Sequence, residues 1–256
     1  MQRPTIGSLE EFIGVLNNIG NTIQLNKRTT GLWFRGVSQL YSNALVPSLY
    51  RTQRLAQFER EMSRDFRLRY RNFGAPQLSY FERLSMMQHF GLPTRLLDWT
   101  ENALCALYFA TTRRHNEDGV VYVLDPWGLN LITANIFSVP ADDSNKLAAY
   151  ELVEDIDINP SREITAIDPI AFRPQVSNER LSAQRGLFTI HGKSDRSIEE
   201  LIKTSGATDV LWEILVKGRK KETLRNELRI AGITQSTLFP GLQGLCEDIF
   251  DTYRRM

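Results

Sequence analysis

The chain has 256 residues, 42% hydrophobic and 24% charged, with 31 Lys and Arg against 30 Asp and Glu. This length supports one large domain or two small ones, and the even charge excludes a global field drawing the protein to nucleic acid or an anionic membrane. No apolar run approaches the roughly 20 residues that cross a bilayer, and Met1-Gln2-Arg3-Pro4-Thr5 lacks the pattern of a signal peptide, so a cytoplasmic protein without membrane contact is expected.

Ser8 caps a first helix, with Glu11 in the capping-box position and Phe12, Val15 and Leu16 on one face. Leu32-Trp33-Phe34 reads as a short strand ending at Arg35-Gly36. Residues 50–73 are strongly helical in pattern, with Leu55, Phe58, Met62, Phe66 and Tyr70 at three-to-four spacing. Arginines crowd this half (Arg51, Arg54, Arg60, Arg64, Arg67, Arg69, Arg71, Arg83, Arg95), so it is where a local basic surface is expected. A helix over 80–90 stops at Gly91-Leu92-Pro93, a strand follows over 94–99, and 102–112 is a nearly all-apolar helix. Cys105 lies in that apolar run as a buried free thiol, and with Cys246 as the only other cysteine a reduced compartment is expected.

Gly119–Asp125 is the clearest strand. Residues 126–178 show weak helix, an acidic patch (Glu151, Glu154, Asp155, Asp157) and the Pro-bearing Asp168-Pro169 and Arg173-Pro174. A helical turn at 180–183, strands at 186–191 and 210–216, a helix at 198–204 and closing helices near 219–230 and 240–254 complete the pattern. Helices dominate the first half and strands are dispersed, which predicts a single-domain α+β fold.

The richest segment is Gln88-His89-Phe90-Gly91-Leu92-Pro93-Thr94-Arg95-Leu96-Leu97-Asp98-Trp99-Thr100. It carries polar groups into an apolar strand, and such groups persist at depth only when satisfied, so it marks a site or a tight hydrogen-bond network. Two other polar punctuations sit at strand edges, Arg35-Gly36 and Gln184-Arg185-Gly186. Arg35 offers a planar fork for phosphate or carboxylate, and Gly36 lets a ligand approach the backbone. The structural alternatives are an Arg paired with a buried Asp, and Asp98 or Thr100 capping the helix at Asn102. The histidines (His89, His115, His191) have neither metal-ligand spacing nor a Cys pair beside them, so no metal is expected. No Gly-rich phosphate loop and no nucleophile-elbow motif is present.

These segments, with Leu45-Val46-Pro47-Ser48-Leu49-Tyr50-Arg51, Ala106-Leu107-Tyr108-Phe109-Ala110 and Thr237-Leu238-Phe239-Pro240-Gly241-Leu242, closely resemble the FRG domain, named for the Phe-Arg-Gly triplet that stands here at 34–36. The resemblance runs from about residue 30 to 245, which makes 1–30 an N-terminal helical segment and 30–256 one FRG domain. FRG proteins are bacterial and phage proteins, many uncharacterised and some similar to toxins or antiviral defence factors, which implies an antitoxin as one possible partner.

A weaker resemblance is to ADP-ribosyltransferases, whose motifs run strand-Arg, strand-(Ser-Thr-Ser) into an Ala- and Phe-bearing helix, then strand-Glu. It implies a helix-rich N-terminal half around a split mixed or antiparallel sheet, NAD as substrate, and transfer of ADP-ribose to a protein or a nucleic acid such as RNA. By that likeness Arg35 and Gly36 hold the NAD phosphate, ribose and nicotinamide amide, Asp98-Trp99-Thr100 floor the pocket, and Arg51 and Arg95 join the NAD-binding set. Gln184 stands where the family carries its catalytic Glu, and a neutral amide cannot supply that charge. Glu179 and Asp98 are then the candidate carboxylates, and His89 can titrate near neutrality. Two alternatives remain open: a non-catalytic nucleotide- or partner-binding module, and a hydrolase or nuclease using Asp98 and His89.

Overall fold

The computed structural model describes residues 3–25, 31–74, 76–112, 116–152, 163–175 and 178–254. His115 and most of the acidic patch (Glu154, Asp155, Asp157) lie outside the described residues.

The chain opens with β1 (Thr5–Ile6) and α1 (Leu9–Leu25). Ser8 Oγ accepts from the Glu11 N–H at 3.2 Å, but the Glu11 carboxylate reaches back to the Gly7 N–H at 2.6 Å, one residue beyond an ordinary capping box. β2 (Trp33–Val37) follows. The helix expected over 50–73 is broken into α2 (Gln53–Ala56), α3 (Glu59–Arg69) and a 3₁₀ turn (Tyr70–Phe73). The break has a tertiary cause: it turns Glu59, at the start of α3, inward onto the buried Arg95.

Ser79 and Glu82 close a complete capping box on α4 (Tyr80–His89). β3 (Leu96–Thr100) starts two residues later than its pattern suggests, because the Thr94 carbonyl accepts from the Leu49 N–H at 3.2 Å and so leaves the ladder. The cap of α5 (Ala103–Thr111) is Asn102 itself, whose Oδ1 accepts from the Leu104 and Cys105 N–H groups at 3.0 and 3.3 Å, so neither Asp98 nor Thr100 is the cap. Then come β4 (Gly119–Leu124), α6 (Pro126–Ala134), a 3₁₀ turn (Asn145–Tyr150), β5 (Ile170–Phe172), α7 (Glu179–Ala183), β6 (Gly186–Ile190), α8 (Ile198–Ser205) and β7 (Leu211–Val216). Both closing helices form, with a short helix between them, so the chain ends in α9 (Lys221–Ile230), α10 (Gln235–Leu238) and α11 (Leu242–Arg254).

Among the described residues, seven strands form one sheet in the order β1-β7-β4-β2-β3-β6-β5, with β1 and β7 parallel and the other neighbours antiparallel. The fold is therefore α+β on a single mixed sheet. The sheet is nearly divided at its centre. β2 registers with β4 at five positions but with β3 only at Phe34 opposite Thr100. On one face, α1, α5 and α9 cover β2, β4 and β7, while α4 covers β3, β5 and β6. On the other, α6 and α8 cover Trp33, Leu97, Trp99, Val120 and Leu124. The two clusters on the first face part along the same line as β2 and β3.

Gly36 is held at that line by packing. A Cβ there would lie 1.7 Å from the Ala106 carbonyl oxygen and 2.8 Å from the Ala110 nitrogen. The helix backbone occupies the space that the absent side chain leaves, so Gly36 first of all lets α5 lie against β2. Gly36→Ala should lower stability by at least about 2 kcal/mol, measured by chemical denaturation, because two backbone segments must move apart.

Candidate functional site

Arg35 shares the β2 face of Trp33 and Val37, yet its guanidinium crosses the parting beside β3. Continuing the Phe34–Thr100 register would set Gly36 opposite Asp98, but the Asp98 carbonyl instead accepts from Arg35 Nη1 at 2.9 Å. The Asp98 carboxylate lies 3.9 Å from the same nitrogen. Arg35 Nε is buried with no hydrogen-bond partner among the described residues. Burial pulls the guanidinium below its usual pKa, Asp98 opposes that and nearby Arg51 adds to it, and arginine stays charged throughout.

Asp98 is the outward residue of a strand otherwise buried, its side chain 64% exposed against 16% for Arg35. Its orientation is set from α4, where Gln88 Nε2 donates to Asp98 Oδ1 at 2.8 Å. The Gln88 amide is fixed in turn by a short hydrogen bond from the Thr94 hydroxyl to its Oε1. The Gln88-His89 end of α4 thus serves to aim a carboxylate. His89 packs edge-on to Phe90 with centroids 4.8 Å apart, and burial, with Arg180 nearby, lowers its pKa and favours the neutral ring.

Around these groups is a cleft of about 230 Å³, lined also by Phe34, Gly36, Trp99, Thr100, Phe109 and Gln184. Among the described residues Asp98 is its one lining carboxylate, and Arg35 and Arg180 are its cations. Trp99 presents only part of its ring, since its Nε1 donates to Thr189 at 3.1 Å. Thr100 locks the floor: its hydroxyl donates to the Gln184 carbonyl at 2.5 Å and accepts from the Asn102 N–H at 2.9 Å. The Gln184 side chain is anchored to α10, Nε2 donating to the Leu238 carbonyl at 3.1 Å. Cys105 lines the cleft as well, but burial pushes its thiol up to about 12, which rules out a thiolate nucleophile near neutrality.

The cleft continues into a second lobe of about 870 Å³, with Gly36, His89, Phe109 and Arg180 common to both. Arg180 lies over the Phe239 ring at 4.7 Å, and Tyr108, Gln235 and Glu247 line the far wall. The first lobe alone falls below the roughly 300–1,000 Å³ usual for small-molecule sites; with the second, the space suits a ligand of two parts.

Of the expected residues, Arg35, Gly36, His89, Asp98, Trp99, Thr100 and Gln184 converge on the cleft. The sequence reading gave no role to Gln88, Arg180 or Phe109. Gln88 lies in the richest motif and Arg180 opens the helical turn expected at 180–183, so the signal for both was position. No group of three or more His, Cys, Asp and Glu able to hold a metal is found among the described residues.

The family model of the FRG domain matches residues 30–119. No curated protein and no solved structure matches the chain. The matched stretch contains Arg35, Gln88, His89 and Asp98, while Arg180 and Gln184 come from beyond it.

Three expected residues do not line the cleft. Glu179 is exposed at the start of α7. Arg51 donates from Nε to the Val46 carbonyl at 2.9 Å and so braces the loop before α2, near Arg35 but outside the cleft wall. Arg95 is 3% exposed and committed elsewhere. Its Nε donates to Glu59 at 2.6 Å, Nη2 makes a second, short contact to the same carboxylate, and Nη1 donates to the His191 and Gly192 carbonyls at 3.2 Å each. Such a bidentate buried pair is an anchor for α3, not a ligand-binding group. Glu59→Gln leaves a buried guanidinium without its counter-charge and should cost about 3–5 kcal/mol, read as a fall in the denaturation midpoint.

His191 lies beneath that anchor, fully buried, its Nε2 donating to the Arg196 carbonyl at 3.2 Å. Burial chiefly, with Arg95 adding to it, pushes its pKa down to about 3. The unfolded chain takes up this proton near pH ~6.5 and the native chain does not, so stability should fall as pH drops from about 6.5 toward 3. The slope from this one group is about 1.4 kcal/mol per pH unit. Denaturation series at several pH values should show it in the native protein and show a shallower slope in His191→Gln.

Proposed function

Starting from an FRG domain over residues 30–119, we propose that the chain is a NAD-dependent ADP-ribosyltransferase-like enzyme with a macromolecular acceptor. The observation that carries this reading is one oriented, solvent-open carboxylate in a two-lobed cleft that is also lined by two arginines. NAD presents the matching chemistry: an anionic diphosphate joins its halves, and a ribose turns cationic as its bond to nicotinamide breaks.

In this mechanism Arg35 and Arg180 hold the diphosphate and its neighbouring ribose. The C1′–nitrogen bond opens, its electron pair leaves with nicotinamide, and the oxocarbenium-like sugar is stabilised by the Asp98 carboxylate. An acceptor nucleophile attacks C1′ and its proton passes to Asp98 or to neutral His89. Asp98 thereby takes the electrostatic role for which Gln184, an amide tied to α10, lacks the charge.

The test uses NAD labelled in its adenylate half, incubated with purified protein and bacterial lysate that is afterwards digested with protease or with RNase. Label should move to a macromolecule, and the digestion that releases it names the acceptor class. Asp98→Asn, conservative in shape and exposed, should leave the fold intact and cut transfer by about 10²–10³. A folded native chain that binds NAD yet neither transfers label nor releases nicotinamide would instead support the binding module, which the engaged Gln184 amide favours.

A further inference from the structure

The chain between Gln88 and Asp98 folds back through one turn. Gly91 takes a φ of 89°, the left-handed conformation that closes α4, and the Leu92 N–H donates to the Met87 carbonyl at 2.9 Å. The return sets Thr94 beside Gln88 and just ahead of β3. Thr94 is 1% exposed and does not line the cleft. Its backbone is clamped from the other side, the N–H donating to Ser48 Oγ at 3.2 Å and the carbonyl accepting from the Leu49 N–H at 3.2 Å.

Within this frame the hydrogen bonds run in one direction. The Leu96 N–H donates to Thr94 Oγ1 at 3.2 Å, the Thr94 hydroxyl donates to Gln88 Oε1, and Gln88 Nε2 donates to Asp98 Oδ1 at 2.8 Å. A backbone N–H cannot reverse its role, and a hydroxyl has a single proton to pass on. Among the described residues, Gln88 Oε1 is the acceptor that proton has. The opposite orientation of the amide has nearly the same shape, but it would set an NH2 group against the hydroxyl proton and an oxygen against the carboxylate. A polarity that begins at the β3 backbone therefore ends at a carboxylate oxygen that accepts. With Oδ1 so held, Oδ2, 3.9 Å from Arg35 Nη1, is the oxygen left to a ligand.

We infer that Thr94 is a positioning residue of the cleft: from outside its wall it acts through the Gln88 amide, holding Asp98 Oδ1 as a hydrogen-bond acceptor and leaving Oδ2 beside Arg35. The relay stands whatever the cleft turns over, while its effect on rate rests on the transferase reading.

The experiment is side-chain amide exchange of Gln88 by proton–nitrogen NMR on the full chain, the signals assigned by their loss in Gln88→Met. In the native protein the bonded Nε2 proton should exchange about tenfold more slowly than in Asp98→Ala, the scale of one charge-assisted hydrogen bond. Thr94→Val keeps the shape and removes the hydroxyl, so it should lose that protection as fully as Asp98→Ala does, and Thr94→Ser should retain it. Circular dichroism verifies that each variant is folded, and Thr94→Ala takes the place of Thr94→Val if the valine variant does not fold. Equal exchange in the native protein and in Asp98→Ala overturns the inference. So does protection that survives Thr94→Val, or that is missing from Thr94→Ser. With NAD as substrate, Thr94→Val should lower kcat for nicotinamide release by about tenfold or more while KM stays nearly unchanged. Adding Gln88→Met should lower it no further, because both changes act through one carboxylate. Additive losses, or an unchanged kcat, overturn the positioning role. A native chain that turns over no NAD sinks the transferase reading alone, and the exchange measurements still decide the relay.

Discussion

The hydrogen bond from Arg35 to the Asp98 carbonyl organises this molecule. A sheet normally satisfies a strand carbonyl with the neighbouring strand's N–H, and here a guanidinium does so across a parting. The substitution has three effects at once. It keeps β2 and β3 in one sheet although they register at a single residue. It fixes a positive charge that the surrounding core could not hold without oxygen acceptors. And it sets the Asp98 side chain outward, where Gln88 aims it. Separation of the strands and construction of the cleft are the same event.

The supporting structure around that bond divides cleanly. Arg95, only three residues before Asp98, is turned the other way and spends its donors on Glu59 and on the carbonyls at the end of β6. The Gln88-to-Thr100 stretch therefore performs two tasks from one short run of chain: Arg95 and Thr94 tie α3 and the 44–50 loop to the sheet, while Gln88, His89 and Asp98 line the cleft. Within β3, neighbouring side chains leave on opposite faces. The same alternation explains why Trp99 is mostly core while Asp98 is mostly solvent-facing.

Much of this was legible in the sequence. The strands at 33–37, 119–124, 186–190 and 211–216 and the helices at 80–89 and 103–111 follow from local apolar patterns and caps, which act within a few residues. What local patterns could not convey was the consequence of long-range pairing. Residues 50–73 have a continuous helical period, and only the partner 36 positions away explains the break before Glu59. Gly36 looked like a place for a ligand because nothing in its neighbourhood announces that the α5 backbone fills it. Arg95 and Arg35 are the same residue type at similar strand edges, and which one faces a cleft is decided by the residues opposite each.

The strand order carries a further meaning for where this domain can be cut. The stretch common to the family, residues 30–119, holds β2 and β3, and each is the other's poorest neighbour. The ladders that stabilise them come from β4, which only begins at Gly119, and from β6, far beyond. β4 in turn leans on β7, and β7 on β1 at the other end of the chain. A fragment trimmed to the shared stretch would keep the signature residues and lose the hydrogen-bonding partners of both strands that bear them. The recognisable motif thus lies at the centre of a larger sheet, and a fragment confined to it is not expected to fold by itself.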